Sequence, residues 1–162
     1  MINSFTDTIL LNDGYRIPGF GLGTWDIKAG DEAYNYVRAA LDIGYRHIDT
    51  ASLYLNEEDV GKAIRESGVP REEIFVTSKI WPEDFANAEE VFFDSYNKIG
   101  LDYLDMFMLH WPGIDEELRY RAWDVILEQR EKGLIRSAGV SNFLPVHLDQ
   151  MIEKTGVTPV NN

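Results

Sequence analysis

Cysteine is absent from all 162 residues, which excludes disulfide bonds and thiolate metal sites. Long apolar runs are missing as well: no stretch approaches the roughly 20 residues that a bilayer-spanning helix needs. Positive charge is scarce, with 15 lysines and arginines against 28 acidic residues and a formal charge of −13. That balance argues against nucleic acid or an anionic membrane as partner. The first residues lack the charged region and apolar run of a secretory signal, so a soluble, cytoplasmic protein is expected. What is present reads as an ordinary globular composition, 44% apolar and 27% charged, in one domain over residues 1–162 with a sizeable core. The acidity adds a condition. Any phosphorylated ligand must be held by locally placed backbone donors and a few basic residues, because the overall field repels anions.

Residues 8–17 form a hairpin pattern, with Asp13-Gly14 supplying the positive φ of a tight turn. From Phe20 onward, short apolar strands alternate with amphipathic helices. Strands are expected at 20–23, 46–49, 73–79, 103–110 and 134–140, and helices at 31–43, 56–67, 86–99, 115–131 and 145–154. A sixth strand begins at Thr158 to Asn161. Glycines 44, 68, 100 and 133 close the first four helices. Strand starts recur roughly every 25 to 30 residues, the length of a strand and its crossover helix, which yields a parallel sheet. An open dinucleotide-binding sheet would need a third glycine and an adjoining helix after Gly21-Leu22-Gly23, and neither is there. The expected fold is therefore α/β of the (β/α)8 TIM-barrel type with an N-terminal β-hairpin, incomplete in this chain, since a full barrel takes about 250 residues.

Three strands end in ionisable residues: Asp49, Lys79 and His110, and a short loop after the first delivers Tyr54. Residues two apart share a strand face, so Asp49 lies with His47, Lys79 with Thr77, and His110 with Met108. That parity aims all three polar ends into a barrel mouth, where active sites of this architecture are built. An inward lysine needs a counter-charge, and Asp49 is the evident partner. A paired Lys79 near Tyr54 is expected to lower the phenol's pKa from about 10 and make it a usable acid. His110 is placed to donate a hydrogen bond to the phenol oxygen or to a bound carbonyl and fix its direction.

Gly21-Leu22-Gly23-Thr24-Trp25, Asp49-Thr50-Ala51 with Tyr54, Asn56-Glu57 and Val60-Gly61, Thr77-Ser78-Lys79, Met108-Leu109-His110-Trp111-Pro112 and Gly139-Val140-Ser141-Asn142-Phe143 occur in this order along essentially the whole chain. In this the sequence resembles the aldo-keto reductases. The resemblance implies a catalytic tetrad of Asp49, Tyr54, Lys79 and His110, and reduction of an aldehyde or ketone by NADPH, with NADH as the alternative and without a metal. It further implies that Gly23, Thr24, Asp49, Ser141, Asn142 and Asn162 contribute to the cofactor site and that Trp25 and Trp111 line the substrate pocket. Two departures stand out: Asn161-Asn162 replaces the family's Asn-Gln, and the family's later cofactor-gripping signature is not in the chain. A small carbonyl compound is the expected partner, and a complete barrel is expected to be a monomer. The competing expectation is a truncated, inactive fragment that self-associates as an interaction module.

Taken singly, these residues have plainer readings. Asp49 suits a turn or helix cap, Lys79 a solvated strand end, Tyr54 a half-buried aromatic, and Ser141-Asn142 a cap before Phe143. His47 and His147 are read as structural. Glu57, Glu58, Asp59, Glu89 and Glu90 are read as solvated charges at helix amino ends. Only the tetrad's joint occurrence favours chemistry.

Overall fold

The computed structural model describes residues 4, 5 and 7–162. Strands β1 (Thr8–Leu10) and β2 (Arg16–Pro18) pair antiparallel across a turn in which Gly14 takes φ 93°. Five parallel strands follow in spatial order of sequence: β3 (Leu22–Gly23), β4 (His47–Asp49), β5 (Phe75–Ile80), β6 (Leu104–Leu109) and β7 (Ile135–Val140). The crossovers carry helices α1 (Asp31–Asp42), α2 (Glu57–Arg65), α3 (Ala88–Ile99) and α4 (Glu116–Glu131), and α5 (Pro145–Thr155) follows β7. The expected alternation is thus observed, with ends moved by a few residues. The third helix is preceded by a 3₁₀ segment, Pro82–Asn87, because Pro82 fixes the first turn without an amide donor.

Each element is explained by its apolar spacing. Helix α1 buries Ala33, Val37, Ala40 and Leu41, one stripe at helical period. Strands β5 and β6 are buried at every position, as parallel strands covered on both faces must be. Alternate side chains go to two cores. Ile48, Val76, Ile80, Phe107, Leu109, Ala138 and Val140 face the helices. Phe75, Met106 and Met108 face the other way, where Leu11 and Ile17 of the hairpin close over them. Asp13 of the hairpin turn accepts a bond from Ser137 Oγ at 2.7 Å, tying that plug to β7. Helices α2 and α3 approach so closely that a Cβ on Gly61 would sit 2.0 Å from the Ile99 carbonyl oxygen.

The sixth strand is only begun. Val160 N and Asn161 O bond to Ala138 O and Val140 N at 3.1 and 3.2 Å, but the segment carries no strand assignment. Pro159 cannot donate to a ladder, so little pairing can extend before the segment ends. The chain therefore forms a partial (β/α) barrel with helices on its outer face.

Candidate active site

The register of the sheet is a staircase. Gly23, Asp49, Thr77, Met106 and Ser137 are successive partners across it, and Lys79 pairs one inward step higher with Met108. Lys79 is thus above Asp49 and reaches down to it: Nζ donates to Asp49 Oδ2 at 2.7 Å and to the Thr50 carbonyl at 2.8 Å. His110 follows β6 a further step up, where its Nε2 lies 3.3 Å from the Tyr54 hydroxyl. Tyr54 comes from the 3₁₀ turn Ser52–Tyr54, and its ring lies 5.1 Å beneath the Lys79 ammonium. The structure accordingly brings Asp49, Tyr54, Lys79 and His110 together at the carboxyl ends of β4 to β6.

The electrostatics differ from expectation on one point. The Tyr54 phenol is not lowered but pushed up to about 12, first by burial and then by the Asp49 carboxylate. Lys79 gives two of its three donors to Asp49 and Thr50 and lies over the ring face, so it does not offset burial and the Asp49 charge at the phenol. The Lys79 pKa is itself lowered by burial, which Asp49 opposes. Burial and the lysine charge push His110 down to about 4, so its imidazole is neutral at physiological pH. Among the described residues its buried Nδ1 has no hydrogen-bond partner. The imidazole tautomer decides which of Nε2 and the phenol donates in their 3.3 Å contact.

Aromatic side chains rim the mouth. Trp25 and Trp111 are 65% and 45% exposed, so neither is a core residue. Trp25 packs edge-on against Tyr54 at 5.1 Å, and Trp81 packs against His110 at 5.0 Å. Trp81 was not singled out from the sequence, although it lies two residues beyond Lys79 and shares its parity. An apolar cleft of about 590 Å³ opens beside the mouth, not over it, between Trp81, Phe85, Trp111, Ile114 and Leu118. The loop bearing Trp111 is anchored by the buried Arg119, whose guanidinium donates to the Pro112 carbonyl at 3.1 Å.

The residues expected around a cofactor are divided. Gly23 offers open backbone, with no atom within 4 Å of where its Cβ would be. Thr24 is different: its side chain is wholly buried, donating to Asp49 O at 3.1 Å and facing Asn56, so it braces the site rather than lining it. Asn142 takes φ 63°, and its Nδ2 donates to the His110 carbonyl and to Ser141 Oγ, both at 2.9 Å. Among the described residues no bond occupies Asn142 Oδ1 or uses the Ser141 hydroxyl proton. The cap of α5 is Leu144, so Ser141-Asn142 does not serve that helix. Asn162 is engaged on the backbone of Phe143, accepting at 3.0 Å and donating at 2.8 Å.

The plain readings hold for two histidines. His47 Nε2 meets Thr77 Oγ1 at 3.0 Å inside the barrel, and His147 Nδ1 accepts from Leu144 N at 3.2 Å at the start of α5. They fail for Glu57, which is buried rather than solvated and accepts from the Ser78 hydroxyl on the helix side of β5. Burial raises its pKa, opposed chiefly by that hydroxyl. Asn56, quoted in a motif without a role, is a buried hub. Among the described residues no group of three or more His, Asp or Glu could hold a metal, and no helix is long and apolar enough to cross a membrane.

Comparison with known proteins finds relatives along nearly the whole chain. The aldo/keto reductase family model matches residues 19–162. The chain is 44% identical over 154 residues to a protein of Escherichia coli K12 named methylglyoxal reductase DkgA, covering 95% of this chain and 56% of that one. It is 43% identical over 165 residues to a glyoxal reductase of Bacillus subtilis, covering 100% of this chain and 59% of that one. Among solved structures, an aldo/keto reductase from Brucella melitensis superposes with a TM-score of 0.92 at 45% identity, covering 96% of this chain and 62% of that one. A Bombyx mori aldo-keto reductase in complex with NADP gives a TM-score of 0.85 at 35% identity, covering 96% and 57%. The chain therefore spans a little over half the length of the relatives it matches.

Proposed function

The chain belongs to the aldo/keto reductase family, and from that premise we propose that its site reduces small aldehydes and ketones to alcohols, using NADPH in preference to NADH. The observation that carries this reading is the Tyr54 hydroxyl held 3.3 Å from a neutral His110, its ring packed beneath the Lys79 of the Asp49–Lys79 pair. The names of the Escherichia coli and Bacillus subtilis relatives point to small α-oxoaldehydes, and an open rim of Trp25 and Trp111 suits compounds of that size.

A reduced nicotinamide, when bound, supplies hydride to the carbonyl carbon. The Ser141 hydroxyl and Asn142 Oδ1 offer one donor and one acceptor side by side, which fits a carboxamide. Asn162, turned to Phe143, assists by holding that loop, and Gly23 allows close approach of backbone. Asp49 acts through Lys79. His110 orients the carbonyl oxygen next to Tyr54, and Tyr54 gives its proton to that oxygen as negative charge develops. A phenol near 12 remains fully protonated at neutral pH. It is still far more acidic than an aliphatic alcohol, so the transfer to the developing alkoxide runs downhill.

Tyr54→Phe tests this. Carbonyl-dependent NADPH oxidation should fall at least about a hundredfold, with cofactor affinity by fluorescence quenching unchanged, because the hydroxyl acts only in the transition state. Turnover retained in that variant removes Tyr54 from its role.

A further inference from the structure

Asn56 is wholly buried at the meeting point of two mouth loops. Its Nδ2 donates to the carbonyls of Thr24 and Ile27, each at 3.0 Å. Its Oδ1 accepts from Thr50 Oγ1 at 2.8 Å and lies 3.4 Å from Thr24 Oγ1. Both donors and one lone pair are thereby engaged, while the single Thr24 hydroxyl proton goes to Asp49 O at the shorter 3.1 Å. An asparagine just before a helix ordinarily caps it, yet this one makes no side-chain bond to α2. Its amide is turned away from the helix it introduces and toward the loops.

The two sets of bonds lead to different places. The donors hold residues 24 to 27, the loop that presents Trp25 to Tyr54. The acceptor holds Thr50, whose carbonyl receives Lys79 Nζ at 2.8 Å. We propose that Asn56 is a positioning residue with two separable arms, its donors setting the rim loop against which substrate binds and its acceptor setting the carbonyl that anchors Lys79. This rests on the reductase reading of the site. Asp, which matches Asn in shape, keeps the acceptor and loses both donors. Val at position 50 does the reverse, deleting only the hydroxyl that Oδ1 accepts.

The experiment compares Asn56→Asp and Thr50→Val in protein labelled with 5-fluorotryptophan, the Trp25 signal being assigned with Trp25→Phe. Asn56→Asp should move the Trp25 fluorine resonance and raise KM for methylglyoxal about tenfold, with kcat within about twofold. Thr50→Val should leave that resonance in place and lower kcat about tenfold, with KM within about twofold. An unmoved Trp25 resonance in Asn56→Asp overturns the proposal, as do equal changes in KM and kcat in the two variants. Should Asn56→Asp fail to fold, a KM increase in Thr50→Val overturns it alone. If the unaltered protein reduces no carbonyl compound, the reductase reading falls, and the fluorine resonance still decides whether Asn56 sets the loop.

Discussion

Removing the two ends of the Asp49–Lys79 pair should have unequal consequences. The side chains are 28% and 7% exposed respectively and meet at 2.7 Å. Asp49→Asn leaves a buried ammonium with only neutral acceptors, the Thr50 carbonyl and the new amide oxygen. Breaking a buried pair costs about 3–5 kcal/mol, and the remaining acceptors put this variant near the lower end, about 3 kcal/mol. Lys79→Met leaves the carboxylate instead, but water reaches it, and the loss should be about 1–2 kcal/mol. In the double variant no charge is stranded, so its loss should fall short of the sum by about 1–2 kcal/mol. The pH dependence gives a second check. Burial already lowers the Lys79 pKa from its ordinary 10.5 and Asp49 opposes the shift, so Asp49→Asn must lower it further. Between that lowered value and 10.5 the unfolded chain binds a proton that the folded chain does not, and the stability of Asp49→Asn should rise with pH across the interval. Urea unfolding of the four proteins at pH 7 and pH 10 measures all of this. A larger loss in Lys79→Met than in Asp49→Asn, or strict additivity, would refute the reasoning.

His47 and His110 are both pushed to about 4, foremost by burial, from an ordinary 6.5. Below 6.5 the unfolded chain takes up protons that the folded chain declines, so stability should be whole above 6.5 and fall as pH drops toward 4. The more buried His47 alone should contribute about 3 kcal/mol to that fall. His47→Gln should flatten most of the slope in urea midpoints, and an unchanged slope would show that His47 protonates without cost. Because the Tyr54 phenol is raised to about 12, carbonyl reduction should be level with pH from neutrality to about 11 and then decline. A break near pH 8 in kcat/KM would mean that the lysine does lower the phenol. Gly61→Ala places a methyl 2.0 Å from the Ile99 carbonyl and should cost about 3 kcal/mol as α2 and α3 are forced apart. A loss under about 0.5 kcal/mol in thermal unfolding would show that the helices slide freely.

Strand parity was readable because side-chain direction in a strand depends only on counting by two. It puts Asp49 with His47, Lys79 with Thr77 and His110 with Met108 within their own strands, which is consistent with all three ends facing the mouth. Register was not readable, since it depends on which residues of separate strands meet. The staircase that seats Lys79 above Asp49 therefore emerges only from the pairing of Asp49 with Thr77 and Lys79 with Met108. The same gap explains the Tyr54 error: proximity to a cation was foreseeable, but not that the cation's hydrogens point to Asp49 and Thr50. Glu57 was misjudged because acidic residues opening a helix are usually solvated, and only the fold reveals Ser78 behind it. Asn56 has no periodic signature at all. Its partners Thr24, Ile27 and Thr50 come from two separate loops, and no local pattern announces such a hub.

Among the described residues Asp26, Leu55 and Asn142 are the non-glycine residues with left-handed backbone, at φ 62°, 58° and 63°, and they immediately follow Trp25, Tyr54 and Ser141. Such a conformation costs an ordinary side chain such as Leu55 on the order of 1 kcal/mol and Asp26 less, while Asn142 is already a residue that tolerates it. Selection of this protein for heat tolerance alone would therefore favour glycine or asparagine at positions 26 and 55. Each such gain would slacken the chain beside a group on which turnover depends, so hardiness and speed would pull the same few codons in opposite directions.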